Sequence, residues 1–366
     1  MISILEKLKK HVHVDLPLLL GIITLMGTSI VVLYSATNEN TDMIISQVLR
    51  TIVALGAMLI MSAIPPRVYA RWAFAGYILC TVLLLLVLIA GHVGKGAERW
   101  LDLGIIRFQP AELMKIIMPM TIAAFFARRV LPAKFLPCLA AFMLIMVPVG
   151  LIVLQPDLGT AVLIAVSGCF IIYLAGLNWY LILAGAVTFA LYAPIHWYFF
   201  MYDYQKHRII TFLDPESDPL NKGYNIIQSK IAIGSGGMLG KGWLQGTQSH
   251  LQFLPESHTD FIFAVYCEEF GFAGVLFLMT LYAAVIARCA YISMQAQNTF
   301  ERLLSGALTL TFFFYIFVNV GMVSGLLPVV GVPLPMISYG GTSMIALSAA
   351  FGIIMAIHTH RKKQPY

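Results

Sequence analysis

The chain has 366 residues, 60% of them Ala, Val, Ile, Leu, Met, Phe, Trp, Tyr or Cys and only 11% charged, against roughly 25% charged in a soluble domain. That balance, with a mean hydropathy of +0.85, excludes a water-soluble fold. The net charge of +6 does not point to nucleic acid, because the basic residues sit scattered at the ends of apolar runs and form no sustained stripe.

Apolar runs near the length needed to cross a bilayer recur along the chain. They predict ten transmembrane helices at about 16–35, 43–63, 69–91, 110–128, 135–154, 158–175, 179–200, 261–287, 303–326 and 337–358. The fold expected is all-α and polytopic, a single transmembrane domain over 1–366, with one large extracytoplasmic loop, 201–260, between helices 7 and 8. With the N-terminus in the cytoplasm, thirteen Lys and Arg fall inside, among them Lys9, Arg67, Arg128, Arg288 and Lys362, as the positive-inside bias requires. The C-terminus is then cytoplasmic too, and no cleaved leader is expected. Five cysteines scattered within apolar segments give neither a disulfide framework nor a zinc site. Gly321 and Gly325 form a GxxxG pair suited to close helix packing.

Twelve of the seventeen acidic residues lie on the outer side, and Glu268 and Glu269 lie within a span. The loop from His92 to Gln109 and the loop 201–260 keep cations against the translocation bias, so polar chemistry is concentrated outside. A glycine stretch, Gly234 to Gly242, does not meet the P-loop pattern. Ser235 stands at the first glycine position and Gly242 where Ser or Thr is needed. No nucleotide or organic cofactor is expected.

Where the loop runs into the eighth span, Ser257 and Asp260 have the spacing of a capping box. Asp260 also lies among Glu256, His258 and Thr259 at a membrane mouth, where a partly desolvated carboxylate gains basicity and can act as a general base. Both readings stand on the sequence. Glu112 and Lys115 at i, i+3 form either a structural ion pair or a substrate contact. With Arg99, Trp100 and Arg107 just upstream, they would suit a diphosphate at headgroup depth. Asp157 either caps the sixth span or joins the site. Outside the membrane activated nucleotides are scarce, so a group transfer there would draw its activation from a lipid-linked pyrophosphate. Glu268 and Glu269 would instead serve a proton or headgroup path in a flippase or transporter of lipid-linked precursors, and a non-catalytic scaffold is a third possibility.

The runs Lys95 to Gly104, Arg107-Phe-Gln-Pro-Ala-Glu112, Gln155-Pro-Asp-Leu-Gly-Thr160, Ile231 to Gly237, Gly240 to Ser249, Leu254 to Ala264 and Gly331 to Gly341 strongly resemble the SEDS family (shape, elongation, division and sporulation), in its rod-shape rather than its division branch. The resemblance implies an inverting peptidoglycan glycosyltransferase that polymerises lipid II into glycan strands for cell elongation. Such an enzyme is a multi-pass protein of the bacterial inner membrane with its active site facing the periplasm. The resemblance also implies a class B penicillin-binding protein transpeptidase and other elongation-complex membrane proteins as partners, and no nucleic acid. It matches Asp260 to the position regarded as catalytic and Arg99, Arg107, Glu112, Lys115 and Asp157 to important outer positions. His258 and Trp100 are counted with the substrate-binding set, and a divalent cation, Mg or Mn, is expected from the family's behaviour.

Overall fold

The computed structural model describes residues 13–361 apart from 91, 95–96, 103–106, 200, 215–221, 251–252 and 255; at 90, 92–94, 97–99, 101–102, 107–108, 204–205, 207–208, 222 and 249–250 it describes the backbone only. Ten helices fall on the predicted spans: α1 Leu16–Ala36, α2 Thr41–Ala63, α3 Pro66–Ala90, α4 Pro110–Ala127, α5 Phe135–Leu154, α6 Leu158–Leu174, α7 Trp179–Phe199, α11 Ile262–Met294, α12 Thr299–Val323 and α13 Gly341–Thr359. Among the described residues, nine of these are long and apolar enough to cross a membrane; α6, at 17 residues, is the shorter one. Starts follow local chemistry. The Asp15 carboxylate accepts from Leu18 N at 3.1 Å ahead of α1, and the Asn40 side chain accepts from Asp42 N and Met43 N ahead of α2, so orphan amides are satisfied before the chain enters the apolar layer.

Two regions differ from the all-helical expectation. The stretch 92–108 folds as three short antiparallel strands, β1 His92–Gly94, β2 Ala97–Asp102 and β3 Arg107–Phe108, with Trp100 opposite His92 and Asp102 opposite Arg107. The glycines at 94, 96 and 104 in its sequence disfavour helix. The 201–260 loop carries α8 Asp203–Leu213, α9 Lys222–Ser235 and the single turn α10 Thr247–His250.

The predicted eighth span is not one continuous helix. At Gly271 the backbone turns to φ 63°, ψ −163°, a region open essentially to glycine alone. The glycine-rich loop fills the break: Lys241 N and Gly242 N donate to Glu268 O and Glu269 O, and Phe272 N and Ala273 N donate to Gly237 O and Met238 O, at 2.9–3.0 Å. Backbone groups freed by the kink are thus satisfied within the protein, as non-helical chain at membrane depth requires. The GxxxG expectation fails for a related reason. Gly325 lies past the end of α12 at φ 76°, where Leu326 N donates to Gly321 O at 2.7 Å, so it terminates the helix in a Schellman motif and is not part of a helix–helix seam.

At the centre, α12 packs against α4, α6, α11 and α13; α2 and α13 lie along one another, and α1 rests on α11. None of the residues of α7 is buried.

Candidate active site

Asp260 lies one residue ahead of the helix cap. Phe261 holds the N-cap position of α11 without a side-chain cap, and Ser257, the expected cap, donates its hydroxyl to Ala36 O at 3.3 Å instead. The turn 256–260 is held from three sides. Thr259 Oγ1 donates to Glu256 Oε2 at 2.6 Å. From the segment that enters α13, Ser338 Oγ donates to Thr259 O at 2.5 Å and Tyr339 N to His258 O at 2.9 Å. From α12, Asn319 Nδ2 donates both to Asp260 O at 2.9 Å and to Val332 O at 2.7 Å. Asp260 itself is half-buried, and a methyl placed on Gly331 would stand 3.4 Å from its Oδ2. The backbone on both sides of this carboxylate is therefore fixed while the carboxylate stays partly open. His258 shares the turn, its ring 6.0 Å from that of Tyr339.

Lys115 is linked to this turn through α12. Its ammonium is 2.7 Å from Glu112 Oε1 and 5.5 Å from the Tyr315 ring centroid, and Tyr315 is one turn, ~6 Å, from Asn319 on the same helix face. The ion pair is nearly buried. Glu112, Lys115, Thr311, Tyr315 and Ser343 line a cavity of about 20 Å³, room for one water molecule. Of the two readings of this pair, the geometry displays the internal ion pair.

Asp157 does cap α6, accepting from Thr160 N at 3.3 Å, and its other oxygen faces Gln109 Nε2 at 3.4 Å, one residue before α4. Gly159 abuts Val330 O, 2.9 Å from where a Cβ would stand, so the α6 start and Asp260 flank the same 330–331 segment. Trp100 is half-buried in β2. Arg99 and Arg107 have their backbones in β2 and β3, and their side chains lie outside the described residues.

Glu268 and Glu269, the features a proton path would use, hold the glycine-rich loop. Glu268 Oε1 accepts from Lys241 Nζ at 2.6 Å, Thr247 N and Thr247 Oγ1 at 2.9 Å and Gln248 N at 3.2 Å, and Glu269 accepts from Ser35 Oγ of α1. Charge-assisted bonds of this kind satisfy the buried Glu268 carboxylate where it stands.

Two residues near the turn were missed in the sequence. Asn319 reads there as one polar residue in a membrane helix, a signal that was available. Arg50, in α2, packs its guanidinium 4.2 Å from the Tyr339 ring centroid; as the one cation in an otherwise apolar run after Asp42, it was legible as unusual.

The fold and the site define a polytopic membrane protein with a carboxylate poised at one mouth of its helix bundle. A family model described as "Cell cycle protein", covering FtsW, RodA and SpoVE, matches residues 10–363, and the chain belongs to that family. It is 52% identical to peptidoglycan glycosyltransferase MrdB of Escherichia coli K12, over 96% of this chain and 95% of the relative. To a probable peptidoglycan glycosyltransferase FtsW of Trichlorobacter lovleyi it is 35% identical, over 100% and 98%. Among solved structures, a chain of a peptidoglycan synthase complex that couples polymerization and crosslinking superposes with a TM-score of 0.84 at 29% identity, covering 96% of this chain and 99% of that one. The rod shape determining protein RodA of Thermus thermophilus superposes with a TM-score of 0.69 at 28% identity, covering 96% and 98%.

Proposed function

We propose that this chain is an inverting peptidoglycan glycosyltransferase that polymerises lipid II at the outer leaflet of the inner membrane. Membership of the family and 52% identity along nearly the whole length to a peptidoglycan glycosyltransferase support the activity. The observation that carries the site is the half-buried Asp260 on a turn clamped by Asn319, Ser338 and Tyr339. In this reading ten helices span the bilayer, both termini are cytoplasmic and Asp260 faces the periplasm.

Asp260 takes the proton from the C4 hydroxyl of the acceptor GlcNAc as that oxygen bonds to the anomeric carbon of the growing strand. The bond from that carbon to undecaprenyl pyrophosphate breaks with inversion, and the leaving diphosphate keeps the electron pair. Arg99, Arg107 and Lys115 are the cations this reading assigns to the diphosphate. A phosphate oxygen reaching Lys115 would share its ammonium with Glu112, so that neighbour tunes the strength of the contact. Among the described residues no three of His, Cys, Asp and Glu converge to hold a metal. A magnesium or manganese ion enters this reading as a companion of the substrate's phosphates. The likeness to a complex that joins polymerization to crosslinking supports a class B penicillin-binding protein transpeptidase and other elongation-complex proteins as partners. The flippase reading would need Glu268 to leave Lys241 and Thr247, whose groups hold its carboxylate in place.

In detergent there are no two compartments to move a lipid between. Purified protein that converts lipid II to glycan polymer is an enzyme, and failure to do so under every cation and partner condition overturns the reading.

A further inference from the structure

Other half-buried cations of the bundle meet a carboxylate. Lys115 has Glu112, Lys241 has Glu268 and Arg288 has Asp15, while Arg129 donates to Phe125 O. Arg50 has none of these. Among the described residues its one partner is the Tyr339 ring. It is half-buried and stands nine residues into α2, ~14 Å from the helix start at 1.5 Å per residue. A guanidinium at that depth is costly unless something pairs with it.

Stacking sets its orientation. A guanidinium lying over an aromatic ring engages through its flat face, which leaves the N–H donors on its edge available for a planar, bidentate acceptor. Gly341 lets it lie there: a methyl at that position would stand 3.3 Å from Arg50 Cδ and Nε. Tyr339 is in turn bonded through its backbone N to His258 O, two residues from Asp260. The ring thus joins an unneutralised cation to the turn that carries the candidate base.

We infer that Arg50 is a substrate-binding residue that holds the diphosphate of the polyprenyl-linked sugar. This deepens the proposed function and rests on it. The depth of Arg50 below the tip of α2 selects the part of such a substrate nearest its lipid, which is the diphosphate, over the sugar or peptide, which reach further into the aqueous phase. Phosphate oxygens also match the guanidinium edge geometrically. Arg50 is distinct from the outer set Arg99, Arg107 and Lys115 in approaching from α2, on the side of the 256–260 turn occupied by Tyr339.

The test is direct binding of undecaprenyl diphosphate to the purified full-length protein in detergent, read by native mass spectrometry, alongside the KM and kcat for lipid II. Arg50→Gln should weaken undecaprenyl diphosphate at least 10-fold and raise KM more than it lowers kcat, with the melting temperature retained. Arg50→Lys, which keeps the charge but not the fork, should recover part of the loss. Undecaprenol, which has no phosphate, should bind both variants as it binds the wild type. Unchanged diphosphate binding in Arg50→Gln overturns the inference, and so does an equal loss for undecaprenol, which would mark a structural role. If Arg50→Gln does not fold, Arg50→Lys decides: wild-type affinity for the diphosphate together with wild-type KM overturns it. Wild-type protein that binds the diphosphate through Arg50 but makes no polymer would sink the glycosyltransferase reading and leave the site standing.

Discussion

The two ends of α11 hold charge in opposite ways. At the end near both termini Asp15 is closed upon itself: it receives Arg288 through Nε at 3.0 Å and Nη2 at 2.6 Å, faces His358 Nδ1 at 2.9 Å and caps α1. Burial alone would raise the Asp15 carboxyl, but the bonds from His358, Arg288 and Leu18 N outweigh it and hold the group well below the usual carboxylate range. At the other end the backbone of the 256–260 turn is bound on every side, while Asp260 stays partly open and Arg50 meets only a ring. Charge that is mutually neutralised secures the bundle; a guanidinium that meets only a ring keeps donors that a ligand can use.

Substitutions at the two ends should separate these roles. The largest effect is expected at Asp260. Replacement by Asn keeps the shape and an acceptor oxygen, so the melting temperature should hold while polymerisation of lipid II in detergent falls by ~10²–10⁴, the usual contribution of a general base. Polymerisation at the wild-type rate would remove Asp260 from the chemistry. Next comes the kink. A Cβ on Gly271 would lie 2.2 Å from Gly240 N at a φ that only glycine tolerates, so Gly271→Ala should cost ~3 kcal/mol or more from backbone strain and overlap together, measured by thermal unfolding. Arg288→Ala should cost ~1–3 kcal/mol, the range for losing charge-assisted bonds, with the lipid II KM unchanged. A raised KM would show that the two ends are not separable.

The smallest effect is that of acid. Because the Asp15 pKa is depressed in the folded state, its contribution to stability is complete above an unfolded value of about 3.9 and is lost as pH falls through that value toward the lower folded one. Wild-type melting temperature should therefore drop more steeply below about pH 4 than that of Asp15→Asn. Parallel curves would mean that the pair contributes nothing.

The helices were legible because each apolar run is long enough to span a bilayer and ends in residues that cap or break a helix; Asp15, Asn40 and Asp157 all announce a start. The kink was not legible. Gly271, in Glu-Glu-Phe-Gly-Phe-Ala, looks like any tolerated helical glycine, and its torsion is imposed by a loop some thirty residues earlier that no local pattern connects to it. For the same reason Glu268 and Glu269 read as an intramembrane path, when their partners are Lys241, Thr247 and Ser35. The neighbourhood of Asp260 was half legible. Its polar cluster was visible, but the clamp from Asn319, Ser338 and Tyr339 depends on three segments meeting.

The ties of α1 have a consequence for biosynthesis. Asp15 waits for Arg288, 273 residues on, Ser29 for Ile337 O, 308 residues on, and Ser35 for Glu269, 234 residues on. At a ribosomal pace of ~5–20 residues per second, the first of these gaps is roughly 14–55 s. α1 thus waits for segments made much later to complete these ties, and until then Asp15 lacks the guanidinium that holds it in the finished bundle.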